Sequence, residues 1–401
     1  MVTIQNTQDL RTAHEKPSVW TIFGGAERPQ KSSNCVSPDT EAIAPSSSQE
    51  SPRVTIVVVP RERFSYTQKS LESIYKYTTY PFKLIYVDGG SPRQIHRYLE
   101  AQSKAKGFKL IRMEAYLSPN LARNIGASQV ETEYTVFVDN DVVVSPNWLE
   151  KLVDCADEAQ ADVVGTLTCI SLPLHSKVHC AGGLAHILES EKDGQVKRRI
   201  REKQYYAEKK LEKVRDRLHR IQTELAEFHC VLVRTQLFEQ VGLLDEGLLN
   251  TREHIDFCML VTQAGGKIYF EPESVITYVP GPPMEAYDIP YYLLRWSDGW
   301  ELDSLAHLEK KWNLTDDSAF FKMRRKRLGW RRQIWVIKPI VRRLMLGKPN
   351  AFLEKALTQV DRVFNRYWSD RYTRKRARMQ LPDPVNPRLA TATSTKVTAN
   401  V

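Results

Sequence analysis

The run Val54-Thr55-Ile56-Val57-Val58-Val59 is apolar apart from one threonine and stops at Pro60. It lacks the alternation of a half-buried strand, so it fits a strand covered on both faces, as in a parallel sheet. The pattern then repeats. Tyr66 to Tyr77 carries Leu71, Ile74 and Tyr75 at helical spacing, and Leu84-Ile85-Tyr86-Val87 is a second apolar run ended by Asp88-Gly89-Gly90. Ser91-Pro92 reads as an N-cap followed by proline at the first helical position. Lys109 to Met113 is a weaker third strand, and Ser118-Pro119 opens another helix. Val136-Phe137-Val138 leads into Asp139-Asn140-Asp141, and Ser145-Pro146 starts the next helix. This alternation predicts an α/β fold, a mostly parallel sheet with helices on both faces.

In such sheets ligands sit beyond the carboxyl ends of the strands. Asp88, Asp139 and Asp141 all stand at strand ends and are expected to line one crevice. Residues two apart in a strand point to the same side, so Asp139 and Asp141 would aim two carboxylates at one point. Mn²⁺ and Mg²⁺ take oxygen ligands of that kind, usually alongside substrate phosphates. The competing reading is a polar turn closing a buried strand, because Asp and Asn are common turn residues.

Charge separates the two ends of the chain. Of a net +10, residues 321–380 carry nineteen Lys and Arg against Glu354, Asp361 and Asp370, which leaves the remainder acidic. Residues 1–52, Ser/Pro-rich in their second half, read as a disordered leader, and 381–401, rich in Pro, Thr and Ala, as a disordered tail. No stretch reaches the roughly 18 apolar residues of a membrane span. Met1 to Leu10 show no basic segment followed by an apolar one, so no secretory signal is expected. Six cysteines, none in a close CxxC pair, read as reduced thiols of a cytoplasmic protein.

The second half is less regular. Asp162 to Leu167 is strand-like. Through the charged segment 192–227 and the residue after it, Leu211, Val214, Leu218, Ile221, Leu225 and Phe228 recur at spacings of three and four, which predicts a charged helical insertion over 192–227. Cys230 to Val233 returns to strand character, and Gln236 to Val241 is a short helix closed by Gly242. A further helix follows Asn250 and ends at Gly265-Gly266. Lys267 to Phe270 and Ser274 to Tyr278 are the last strands.

Taken in order, these stretches resemble the inverting family 2 glycosyltransferases of GT-A fold. The resemblance rests on Val54 to Val59, Val87-Asp88-Gly89-Gly90-Ser91, Leu121-Ala122-Arg123-Asn124-Ile125-Gly126, Phe137-Val138-Asp139-Asn140-Asp141, Phe238 to Glu246, and Glu253-His254-Ile255-Asp256 with Gly265-Gly266-Lys267. It implies a nucleotide-binding half over 53–150 and an acceptor half over 151–284, together a catalytic domain of 53–284. It implies that Pro60, Glu62, Asp88, Arg123, Asn124 and Asp139 hold a nucleotide-diphosphate sugar. Asp139 and Asp141, as a D-x-D motif, would bind Mn²⁺ or Mg²⁺, and a general base for the acceptor hydroxyl would come from Glu253, His254 or Asp256. The acceptor would be a glycan or a lipid-linked acceptor.

Two departures qualify the match. The family usually has Glu-Asp at the base position, where this chain has Glu253-His254. Glu253 and Asp256 also fit structural roles, since Asn250-x-x-Glu253 suits a capping box and Asp256 a first helical turn. The histidine that often follows the last strand as a metal ligand is missing, and His175, His179 or His186 are the substitutes in view. An alternative function is therefore a catalytically impaired GT-A-like scaffold or a membrane-docked binding protein. A nucleotidyltransferase fits less well, because Pro60-Arg61-Glu62-Arg63 has no glycine for a phosphate loop.

Residues 285–380 read as an aromatic then basic helical extension. Tyr287, Tyr291, Tyr292, Trp296, Trp300 and Trp312 suit packing on the catalytic domain, or stacking on an acceptor sugar. From Phe321 onward, basic residues mixed with Trp and aliphatics suit a solvated helical face or an anionic membrane surface. Nucleic acid is the weaker match. The expected location is cytoplasmic, peripheral on the membrane where the extension docks.

Overall fold

In the computed structural model, residues 51–192, 194–281, 284–315, 319–383 and 385 are described. The expected leader lies almost wholly outside them, as does most of the expected tail. The first half runs β1 (Val54–Val59), α1 (Thr67–Tyr77), β2 (Phe82–Gly89), α2 (Arg93–Lys106), β3 (Lys109–Met113), α3 (Pro119–Ala127), β4 (Tyr134–Asp139), β5 (Val142–Val144) and α4 (Trp148–Glu158). The second half adds β6 (Val163–Ile170), β7 (Val178–Cys180), β8 (Gly183–Lys192), β9 (Gln195–Gln204), β10 (Ile221–Thr223), β11 (Cys230–Arg234), α5 (Leu237–Val241), α6 (Glu253–Gln263) and β12 (Ile268–Tyr278).

Ten of these strands form one mixed sheet in the order β10-β12-β6-β11-β4-β1-β2-β3, with β5 on β12 and β7 on β6. β1 runs parallel to both β2 and β4, and β2 to β3, while β11 is antiparallel to β4 and β6. Every residue of β1 and of β4 is buried, as their largely apolar sequences require. One core lies on each face of the sheet: Leu71, Leu99, Trp148 and Leu152 on one side, and Leu121, Ile125, Phe238 and Phe257 on the other. α3 approaches β1 so closely that a Cβ on Gly126 would lie 2.2 Å from Val57 Cγ1.

The segment 192–227 is not a helix. β8 and β9 pair as an antiparallel hairpin, Lys192 opposite Gln195, and two 3₁₀ turns and β10 follow. An Asp193-Gly194 dipeptide, a strong hairpin signal, separates the two strands in sequence. Leu211, Val214 and Leu218 are buried, but from irregular backbone packed against Leu167 and Phe270. Ile221 faces solvent. Two boundaries also shift. The Asn250 capping box is not formed, because Arg252 in a left-handed conformation precedes α6 and its cap uses no side chain. The last two expected strands are one, β12, with an irregularity between Glu271 and Val275.

The extension supplies α7 (Ile289–Arg295), α8 (Asp298–Lys311), α9 (Ala319–Lys326), α10 (Trp330–Arg332), α11 (Lys338–Leu344) and α12 (Ala351–Arg376). Its aromatics pack inward. Tyr291 and Trp300 are buried, and the Tyr372 ring meets Trp300 edge-on. Tyr291 donates to the carbonyls of Pro60 and Leu117, so α7 braces the loop that leaves β1. Among the described residues no helix is long and apolar enough to cross a membrane.

Candidate active site

The sheet register builds the site. Val59 pairs with Asp139, so the loop after β1 runs beside Asn140 and Asp141. Cys230 pairs with Val138, which places His229 opposite Asp139 from the antiparallel side. Asp139 is fully buried. It accepts from Arg123 Nη2 at 2.7 Å and is bonded to His229 Nδ1 at 2.9 Å, with Arg61 Nε at 3.5 Å. Burial works against its charge, but Arg123 and the His229 bond outweigh it and hold the carboxyl below its usual range. His229 is driven the other way by its burial, down to about 4, and is neutral near pH 7.

Asp141 differs sharply. Both its carboxylate oxygens are buried with no hydrogen-bond partner, and Arg61 Nε and Arg123 Nε and Nη1 are buried without one as well. Burial, then the nearby Glu62 and Asp139 charges, push the Asp141 carboxyl well above its usual range. An orphaned buried carboxylate costs several kcal/mol if ionised, and a cation beside it would remove that cost. Asp141 therefore fits a divalent metal. Asp139, with both oxygens already engaged, fits one less well. Asn140, between them, turns the opposite way, as strand alternation requires. Its amide donates to the Arg63 carbonyl at 2.7 Å, and its oxygen accepts from the Arg61 N–H at 3.0 Å.

The other donor-site candidates divide. Arg123 meets Asp139 directly. Glu62 lies near Asp141, but its carboxylate accepts from Trp296 Nε1 at 3.0 Å and the Gly281 N–H at 3.4 Å. Pro60 contributes its carbonyl to Tyr291. Asp88 is committed to the loop after β2, accepting from Ser91 and from Arg112 Nη1 at 2.6 Å, and bonded to His96. Asn124 is bound to both backbone groups of Leu244 and to Glu246, so it ties α3 to the segment after α5 rather than facing the crevice.

The three base candidates part company too. Glu253 accepts from Arg61 Nη1 at 2.8 Å and Arg295 Nη2 at 3.4 Å. Despite its burial, those two guanidiniums hold it well below the usual carboxylate range. Asp256 points away, accepting from Lys311 Nζ and Trp312 Nε1, each at 2.8 Å, and fastens α8 to α6. His254 Nε2 has no hydrogen-bond partner and lies 3.6 Å from Glu227 Oε1.

Several site residues escape the sequence. Arg61 sits between two candidates, yet nothing in a charged tetrapeptide singles it out. Glu227 and His229 are two apart, leading into β11, so alternation alone would have put them on one side. Tyr278 stands near the expected downstream histidine and stacks on His229, ring centroids 3.8 Å apart. Of the three substitute histidines, His179 reaches this cluster, its ring 5.5 Å from that of His229. His175 is bonded to Thr277 and His186 to Glu224.

Residues 54–242 match the family model described as Glycosyl transferase family 2. A search of curated proteins gave no match. Among solved structures the chain is similar to GalNAc-T7 crystallised with UDP, GalNAc and Mn²⁺, at 17% identity and a TM-score of 0.44, over 69% of this chain and 54% of that one. The chain thus spans about half the length of that structure.

Proposed function

We propose that the chain, whose residues 54–242 match the glycosyl transferase family 2 model, moves a sugar from a nucleotide-diphosphate donor to an acceptor hydroxyl with inversion. The observation that carries this is the buried Asp141 carboxylate, with no hydrogen-bond partner, at the end of β4, where Arg61 and Arg123 also have buried N–H groups with no hydrogen-bond partner. That set suits a diphosphate with its counter-cation. Asp141 would hold Mn²⁺ or Mg²⁺, which when bound takes up charge on the leaving diphosphate. Arg61 and Arg123 would bind phosphate oxygens, since a planar guanidinium matches them. His254 is the base this geometry favours. Its Nε2 has no hydrogen-bond partner, whereas Glu253 is held ionised by two arginines and Asp256 is spent on α8. A neutral imidazole can take the acceptor proton as the new bond forms.

A thermal-shift screen of UDP- and GDP-sugars, with and without Mn²⁺, tests the reading. A donor present at 100 times its Kd adds about 2.7 kcal/mol of stability. No stabilisation by any nucleotide sugar would count against it. The clamp on Glu253 favours one other reading, a non-catalytic scaffold, for which wild type and His254→Ala would both show no turnover.

The extension is proposed to dock on an anionic membrane surface, which suits a lipid-linked acceptor and a peripheral location. One face of α12 packs inward through Asn365, Ser369 and Tyr372. The outward face carries Phe352, Val360, Val363, Phe364 and Tyr367, with Phe352 83% and Val363 73% exposed. Lys355, Arg362, Arg366 and Arg371 flank that stripe. Two copies joined through this face would oppose like charges, whereas anionic lipid would neutralise them. Co-sedimentation with vesicles of phosphatidylcholine alone or with phosphatidylglycerol tests it. Binding that ignores lipid charge, or survives Phe352→Ser with Phe364→Ser, would refute it.

A further inference from the structure

A second cluster of metal-binding side chains lies beside Asp139. His179, Glu227 and His229 offer ligand atoms that all fall within 4.8 Å of one another, with Glu227 and His229 buried and His179 half-buried. Their spacing is informative. His179 Nε2 is 3.7 Å and His254 Nε2 3.6 Å from the same Glu227 oxygen. Both distances exceed hydrogen-bond reach. Ligands bound at 2.0–2.2 Å around a tetrahedral ion, however, sit about 3.4 Å apart. The His179–Glu227 spacing is close to that of two ligands on one ion, and it lies outside hydrogen-bond reach.

The orientation of His229 agrees. Its Nδ1 is bonded to Asp139 at 2.9 Å, which leaves Nε2 for a ligand. A carboxylate on the far nitrogen is the usual support of a metal-bound imidazole. Stacking on Tyr278 fixes the ring plane, at 15° between the two rings. Gln204 donates to Glu227 at 2.8 Å and orients that carboxylate.

We propose that His179, Glu227 and His229 bind a divalent transition-metal ion of the zinc type, at a centre separate from the Asp141 carboxylate. Imidazole with one carboxylate selects such ions over Mg²⁺, which prefers oxygen alone. Three protein ligands leave a fourth position open for water or a substrate oxygen, and His254 Nε2 is next to the centre. The proposal does not rest on glycosyl transfer, and its test needs no sugar.

The full chain, stripped with a chelator, is titrated with Co²⁺ while visible absorption is read, because tetrahedral cobalt absorbs strongly there. Wild type and Asp141→Asn are expected to give the same spectrum, bleached by Zn²⁺. His179→Ala should weaken binding at least 100-fold, and Asp139→Asn, acting through His229, about 10- to 100-fold. His179 is half-buried, so its loss spares the core. An unchanged melting curve without metal checks this, and Glu227→Gln repeats the test from a second ligand. A wild type with no cobalt spectrum would overturn the proposal, as would a spectrum lost in Asp141→Asn but kept in His179→Ala.

Discussion

Arg61 Nη1 donates to Glu253 Oε1 at 2.8 Å, joining the loop after β1 to the first turn of α6. Those residues are 192 apart in sequence, and both are largely or wholly buried. Arg295 closes the arrangement from α7, donating to the Arg61 carbonyl at 3.1 Å and facing Glu253 at 3.4 Å. One carboxylate thus holds two guanidiniums. Glu253→Gln would remove the nearest counter-charge of Arg295 and leave Arg61 only the more distant Asp139, and breaking a buried pair costs about 3–5 kcal/mol. Urea unfolding checks this, and a loss below about 1 kcal/mol would show that Glu253 does not hold the clamp.

Helix α6 carries the proposed base His254 and the structural Asp256 two positions apart. His254→Asn should lower kcat by roughly 10²- to 10⁴-fold with little change in donor KM, as removal of a general base does. Asp256→Asn should instead cost about 1–3 kcal/mol of stability, because it weakens the bonds to Lys311 and Trp312, while kcat per folded molecule stays near wild type. Steady-state kinetics on both variants decide it, and the reverse pattern would move the base to Asp256.

A pH dependence of stability follows from His307 on α8. Its Nε2 is bonded to Asp245 at 2.9 Å, and that bond raises its pKa above the ordinary 6.5. The stabilisation is therefore complete below 6.5 and is lost as pH rises through the folded-state value. His307 is partly exposed, so the effect should stay under about 1 kcal/mol. Melting temperatures from about pH 6 to pH 9 should fall in wild type more than in His307→Gln. Equal slopes would refute the assignment.

Gly126 gives a prediction about packing alone. Alanine favours a helix by up to about 1 kcal/mol. Here its Cβ would lie 2.2 Å from Val57 in the centre of the sheet, and overpacking costs about 1–3 kcal/mol. The clash should win. Gly126→Ala should lower the denaturation midpoint, and a more stable variant would contradict the close approach of α3 to β1.

The first half of the fold was legible because β1 and β4 are buried throughout and α2, α3 and α4 open at serine–proline or within three residues of it. Lys109 to Met113 matches β3 to the residue, and Ser118 precedes α3 as expected. The segment 192–227 misled because its apolar spacing of three and four comes from irregular turns, while β8 and β9 form a two-stranded hairpin with Leu188 and Val196 exposed. In the site, Asp139 and Asp141 were readable as a local pattern. Arg61, Glu227, His229 and Arg295 were not, because they arrive from separate segments. The order β11-β4-β1 brings three of those together, and no local pattern reveals a non-sequential strand order. The base candidates show the same limit, since spacing set Asp256 beside Glu253 but could not reveal that Lys311 and Trp312 would claim it.

The most direct test of metal-assisted glycosyl transfer is donor turnover against Mn²⁺ concentration in wild type and Asp141→Asn, using whichever nucleotide sugar stabilises the protein. Wild type should hydrolyse or transfer the donor in a saturable, Mn²⁺-dependent manner, and Asp141→Asn should lose at least about 100-fold, roughly 2.7 kcal/mol of transition-state stabilisation. Turnover unchanged in Asp141→Asn, with the same response to Mn²⁺, would contradict the role given to that carboxylate.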